Sequence, residues 1–185
     1  PGDEVLLPSP YWVSYIDIIK LAGGMPKIIY AGIEQDFKVK PEQLKSELTD
    51  KTRLMIFSSP CNPTGSVYSK EELEEMATLF RSYPEVIIVS DEIYEHIRFK
   101  GKHCSIASLP EMKERVVTVN GLSKSFAMTG WRLGYIGAPK WIADACDKFQ
   151  GQITSGTCTI TQRAAIAALE ADPEVIQPMV EGFHK

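Results

Sequence analysis

Six short runs of β-branched and apolar residues limit what this chain can fold into. They lie at 4–10 (EVLLPSP), 26–31 (PKIIYA), 53–60 (RLMIFSSP), 85–92 (EVIIVSDE), 115–121 (RVVTVNG) and 132–139 (RLGYIGAP), and each reads as a strand. Amphipathic stretches separate them. Residues 11–24 read as a helix that stops on a glycine pair, and 40–48 as a helix with proline near its start. In 69–83, Ser69 precedes Glu72 at capping-box spacing, and Leu73, Met76, Ala77 and Phe80 share one face. From about residue 140 the text is helical. A last helix is expected over 172–185, after Asp172-Pro173, with Pro178 placed to bend or break it. Strands alternating with helices predict an α/β fold: a mostly parallel sheet with helices on both faces. With no internal repeat and no low-complexity segment, one domain is expected.

Composition removes several classes. Hydrophobic content of 44% and charged content of 24% suit a packed globule rather than a disordered chain. A net charge of -4 argues against a nucleic-acid surface. No apolar run reaches the roughly 18–20 residues that a membrane helix needs, so no membrane partner is expected. Cys61, Cys104, Cys146 and Cys158 have neither CxxC nor zinc spacing. They predict reduced, partly buried thiols and a cytoplasmic setting. The chain opens on Pro-Gly-Asp-Glu and closes on Gly-Phe-His-Lys, so both ends are expected to be cuts through a longer protein.

Chemistry follows the strands. Tyr11-Trp12 comes after the first run, Asn62 within CNPTG after the third, Asp91 and Tyr94 after the fourth, and Ser123-Lys124 after the fifth. In open α/β sheets, ligands bind beyond the carboxyl ends of strands. One edge therefore gathers an indole, an amide, a carboxylate with a phenol, and an amine. A buried carboxylate needs a partner such as a protonated ring nitrogen. A flat cofactor suits a stacking ring, a phosphate suits the fork of Arg132, and a sheltered lysine suits an aldehyde. Together these describe pyridoxal 5'-phosphate.

The segments SPYW (9–12), SSPCNPTG (58–65), VSDEIYEHIRF (89–99) and NGLSKSFAMTGWRLGY (120–135) resemble those of the class I pyridoxal-phosphate aminotransferases, the aspartate aminotransferase-like group of fold type I. The resemblance runs over essentially the whole chain. It implies that Lys124 is the covalent anchor of the cofactor aldehyde and the catalytic proton carrier. It implies that Asp91 pairs with the ring nitrogen, that Tyr94 and Asn62 bond the phenolic oxygen, that Trp12 stacks on the ring, and that Arg132 grips the phosphate. Asn62 and Trp12 would also touch the substrate. The implied activity moves an amino group between an L-amino acid, aspartate among the candidates, and a 2-oxo acid. The protein would be a homodimer at full length. The same fold also runs C–S β-lyases, and a chain without its flanking segments could be an inactive interaction unit. Residues 1–171 would be the central part of the cofactor-binding large domain, and 172–185 the start of the way to a small domain. One departure is Gly121, where several family members carry a phosphate-binding serine.

Plainer roles are open to each residue. Lys124 and Arg132 could be surface charges, Asp91 a helix N-cap, Trp12 core and Asn62 a turn former. His96, His103 and His184 lack ligand spacing and are expected to be non-catalytic. Glu71, Glu72, Glu74 and Glu75 are expected to form a solvated helix face. GLSKS fails both glycines of a P-loop, and no dinucleotide fingerprint follows a strand.

Overall fold

The computed structural model describes residues 1–184; Lys185, the last position of the helix expected over 172–185, lies outside the described residues. Strands β1 (Glu4–Ser9), β2 (Met25–Tyr30), β3 (Thr52–Ser58), β4 (Ile87–Asp91), β5 (Val116–Gly121) and β6 (Gly134–Gly137) form one sheet in the order β2-β1-β3-β4-β5-β6. All neighbouring pairs are parallel except β5 with β6, which is antiparallel. Helices α1 (Ser14–Leu21), α2 (Pro41–Glu47), α3 (Lys70–Arg81), α4 (Lys140–Ile153), α5 (Thr159–Glu170) and α6 (Gln177–Phe183) complete the order. The α/β architecture matches the expectation from strand–helix alternation.

Strand alternation divides the core between two faces. Leu6, Met55, Phe57 and Ile88 pack with Leu44 of α2 and Leu73, Met76 and Phe80 of α3. Val5, Leu7 and Ile56 point the other way, onto Tyr15 and Ile19 of α1. Because both faces of β1 and β3 are covered, these strands are apolar throughout, as buried parallel strands must be. Each such side chain contributes about 1.5–3 kcal/mol by leaving water.

Several boundaries moved for local reasons. α1 begins at Ser14 rather than residue 11, because Tyr15 N–H donates to Trp12 O at 3.0 Å and closes a turn over 12–15. Trp12 is thereby left at the strand end rather than inside a helix. β4 stops at Asp91 and a turn follows, so Asp91 caps no helix. The last helix starts afresh at Gln177, after a 3-10 turn over Pro173–Ile176, and Pro178 lies in its first turn. Proline is favoured there, since the first N–H groups of a helix lack acceptors anyway; Pro178 opens the helix instead of breaking it. The peptide bonds before Pro10, Pro60 and Pro63 are cis.

Ser69 and Glu72 form the predicted capping box. Ser69 Oγ accepts from Glu72 N–H at 3.2 Å, and Glu72 Oε2 accepts from Ser69 N–H at 2.7 Å. Glu72 also pairs with Lys38 at 2.7 Å, so it is a junction rather than part of a solvated run. Of the cysteines, Cys61 and Cys104 are partly buried, but Cys146 and Cys158 are exposed, which corrects the expectation for those two. Among the described residues, no helix is long and apolar enough to cross a membrane.

Candidate active site

The parallel register sets the floor of the site. Ser58, Asp91 and Val119 occupy one row across β3, β4 and β5. Side chains in a row share a face, and all three line one cavity of about 260 Å³. The same cavity is lined by Trp12, Asn62, Tyr94, Lys124 and Arg132. The structure thus brings all six sequence-predicted site residues to one place, five at or beyond the ends of four strands and Arg132 from the loop before β6. Trp12 is 42% exposed and no core residue. Asn62 is half-buried at the cavity wall, so it does more than shape its turn.

Asp91 is held from two sides. Its Oδ1 accepts from Ile93 N–H at 3.1 Å. Its Oδ2 accepts from the Tyr15 hydroxyl at 2.6 Å, a length typical of a charge-assisted O–H···O⁻ bond. Tyr15 is buried, and burial, reinforced by the Asp91 charge, pushes its phenol well above the usual tyrosine range. Tyr15 therefore stays a donor at any physiological pH. Tyr15 falls within the stretch 11–24 that the sequence reads as a helix. Its spacing from Trp12 was visible; its partner, 76 residues away, was not.

Lys124 follows β5 in a tight turn in which Ala127 N–H donates to Lys124 O at 3.1 Å. Its Nζ lies 5.8 Å from the centroid of the Tyr94 ring, within cation–π range. Among the described residues it has no ion pair. Next to it, Ser125 is buried with its hydroxyl unpartnered, which is uncommon for a buried polar atom. Arg132 sits in left-handed backbone conformation at φ 53°, and its Nη1 donates to Thr129 O at 2.7 Å. That conformation is unfavourable for a long side chain, and the loop that enforces it turns Arg132 towards the cavity. Gly121 has no room for a side chain: an added Cβ would lie 2.9 Å from Leu133 O and 3.1 Å from Gly134 Cα. The close β5–β6 approach explains the glycine where several family members carry serine.

A second depression of about 660 Å³ shares Asn62 and Tyr94 but lacks Asp91 and Lys124. The chemistry lies with the smaller cavity. His96, His103 and His184 all stand outside the small cavity; His103 instead meets Glu92 at 2.6 Å.

The fold and this site define a class of protein that comparison with known proteins makes specific. The family model for aminotransferase class I and II matches residues 1–184, and the chain belongs to that family. It is 51% identical to the bifunctional aspartate aminotransferase and glutamate/aspartate-prephenate aminotransferase of Petunia hybrida, over all of this chain and 40% of that protein. It is 46% identical to the aspartate/prephenate aminotransferase of Nitrosomonas europaea, over all of this chain and 47% of that one. Among solved structures, the aspartate aminotransferase of Rhizobium meliloti superposes with a TM-score of 0.97 at 37% identity, covering 100% of this chain and 46% of its own. The aromatic aminotransferase of Pyrococcus horikoshii gives 0.93 at 45% identity, over 97% and 49%. The chain thus spans less than half the length of these relatives. Pyridoxal phosphate is the cofactor this family uses as a class.

Proposed function

We propose that the protein of which this chain is a part is a pyridoxal-phosphate-dependent aminotransferase, moving an amino group between an L-amino acid and a 2-oxo acid. The carrying observation is one ring-sized cavity bounded by an amine, a pinned carboxylate, a phenol, an amide, an indole and a guanidinium. That donor set fits the cofactor group by group. Lys124 would hold its aldehyde carbon, Asp91 its protonated ring nitrogen, Tyr94 and Asn62 its phenolic oxygen, Trp12 its ring face and Arg132 its phosphate. When bound, pyridoxal phosphate supplies an electron sink for the bonds at the substrate Cα. The chain's own residues do the rest. Lys124 carries the proton at the substrate Cα. The Tyr15 hydroxyl and Ile93 N–H hold the Asp91 carboxylate in place from two sides. Asn62 and Trp12 orient the substrate carboxylate. The relatives' names support aspartate as amino donor. The same reading makes residues 1–171 the central part of the cofactor-binding domain and 172–185 the lead into a further domain, in a cytoplasmic homodimer.

In the intact protein, Lys124→Ala should remove both the shift in visible absorbance that pyridoxal phosphate shows on joining the protein and amino transfer from aspartate to 2-oxoglutarate. Unchanged absorbance with normal turnover would refute the assignment. If the unmodified protein instead releases pyruvate from cystathionine without a 2-oxo acid acceptor, the activity is that of a C–S lyase.

A further inference from the structure

Between β4 and the returning segment at 103–105, the chain lines the cavity with Ile93 and Tyr94, and Tyr94 supplies the polar group. Two carboxylates flank that phenol, and neither lines the cavity. Glu92 is 2% exposed. Its parity along the chain sends it to the face of the sheet opposite Asp91. There Glu92 Oε1 accepts from Ser90 Oγ at 2.9 Å and from Ser105 Oγ at 2.7 Å, while Oε2 lies 2.6 Å from His103 Nε2. Ser105 in turn caps the 3-10 turn Ile106–Ser108 by accepting from Ala107 N–H, and Ile106 is buried in the main core. One carboxylate thus ties a strand end, a returning loop and the core together.

Glu95 makes the second attachment. Its Oε1 accepts from Asn120 Nδ2 at 2.6 Å, and Asn120 Oδ1 accepts from Gly121 N–H at 2.7 Å. Asn120 is buried at the end of β5, four residues before Lys124. The backbone that carries Tyr94 is therefore fixed to the strand that carries Asp91 and to the strand that leads to Lys124. A buried carboxylate is costly to retain unless its acceptor positions are filled. Glu92 fills them with three side-chain donors and pairs with nothing in the cavity.

We infer that Glu92 and Glu95 are positioning residues for Tyr94: two attachments, one on each side of it, that hold its phenol against Lys124. Glu92, Glu95 and His103 bring ligand atoms within 4.8 Å of one another, and both oxygens of Glu92 are already engaged in hydrogen bonds. The inference rests on the proposed cofactor site, and its test separates the two.

In the intact protein, Glu92→Gln keeps the shape but replaces one acceptor oxygen with a donor facing its partners. Glu95→Gln keeps size while removing charge. Without cofactor, hydrogen exchange across 93–102 should speed up about tenfold in Glu92→Gln, since a hydrogen bond to a charged group is worth roughly a decade in an equilibrium. With cofactor, each variant should weaken pyridoxal phosphate binding about tenfold and shift the pH midpoint of its visible absorbance. Either change made on top of Tyr94→Phe should add little, because residues acting through one group are not additive. Faster exchange without any change in cofactor binding or spectrum would reduce the carboxylates to structural residues and overturn the inference. Full multiplication of the Glu92→Gln and Tyr94→Phe effects would overturn it too. If the unmodified protein binds no pyridoxal phosphate, the functional proposal fails, while the exchange result still reports on the two attachments.

Discussion

Tyr15 illustrates how one hydroxyl can hold another residue's carboxylate in place. Its bond to Asp91 at 2.6 Å fixes the position of a carboxylate that lines the cavity. Burial and the Asp91 charge raise the Tyr15 phenol, so the folded pKa exceeds the unfolded one. The stability linked to this group is then fully present below about pH 10 and is lost as the pH rises above it towards the folded value. Tyr15→Phe should cost about 1–2 kcal/mol at neutral pH. It should also flatten the alkaline loss of stability, read from urea midpoints at about pH 8 and about pH 10.5. An equal alkaline loss in the variant would place its origin elsewhere, with the other buried phenol, Tyr68, also raised by burial. Lys124, Asp91 and Asn62 were legible in the sequence because each follows an apolar run directly. Tyr15, Glu92 and His103 were not, since their partners are fixed by packing rather than by spacing.

At the scale of elements, the β5–β6 pair is the tightest constraint. Gly121 and Gly134 face each other across an antiparallel ladder, and the Cβ that any other residue would add at 121 meets backbone, which cannot rotate away. Gly121→Ala should destabilise the protein by about 1–3 kcal/mol through overpacking, seen as a lower denaturation midpoint. Gly121→Ser should fare no better, and a serine there that leaves stability intact would contradict the close approach. The capping box of α3 was readable because its signal spans only three residues. The start of α1 was misjudged because its turn follows the Ser9-Pro10 segment, where chain direction outweighs helical periodicity. The antiparallel sense of β6 was equally hidden, as its short apolar run is the same read in either direction.

For the whole molecule, the two halves differ in packing. Strands β1, β3, β4 and β5 are well covered, while the edge strand β2 leaves Met25, Ile28 and Tyr30 exposed. β6 is exposed along its length, and α4 has no buried residue. Trp141, Phe149 and Ile153 lie along one stripe of α4 at helical spacing and are 64%, 70% and 62% exposed. Large apolar side chains left exposed on one element favour association. The 185-residue chain alone should therefore self-associate as its concentration is raised. Trp141→Ser with Phe149→Ser should shift it towards monomer in sedimentation velocity. A monomer before substitution would show that the stripe is tolerated in water.

The sequence alone determined the class of fold and the chemical inventory of the site. Both are local properties: β-branched runs bury themselves, amphipathic stretches cover them, and polar residues just beyond a strand must emerge at its carboxyl end. Tertiary structure decided which of those groups meet. The Tyr15–Asp91 bond, the Glu92 and Glu95 attachments and the direction of β6 depend on register and packing between segments far apart in the chain, and a hydrogen bond between distant residues leaves no periodic trace in the order of amino acids.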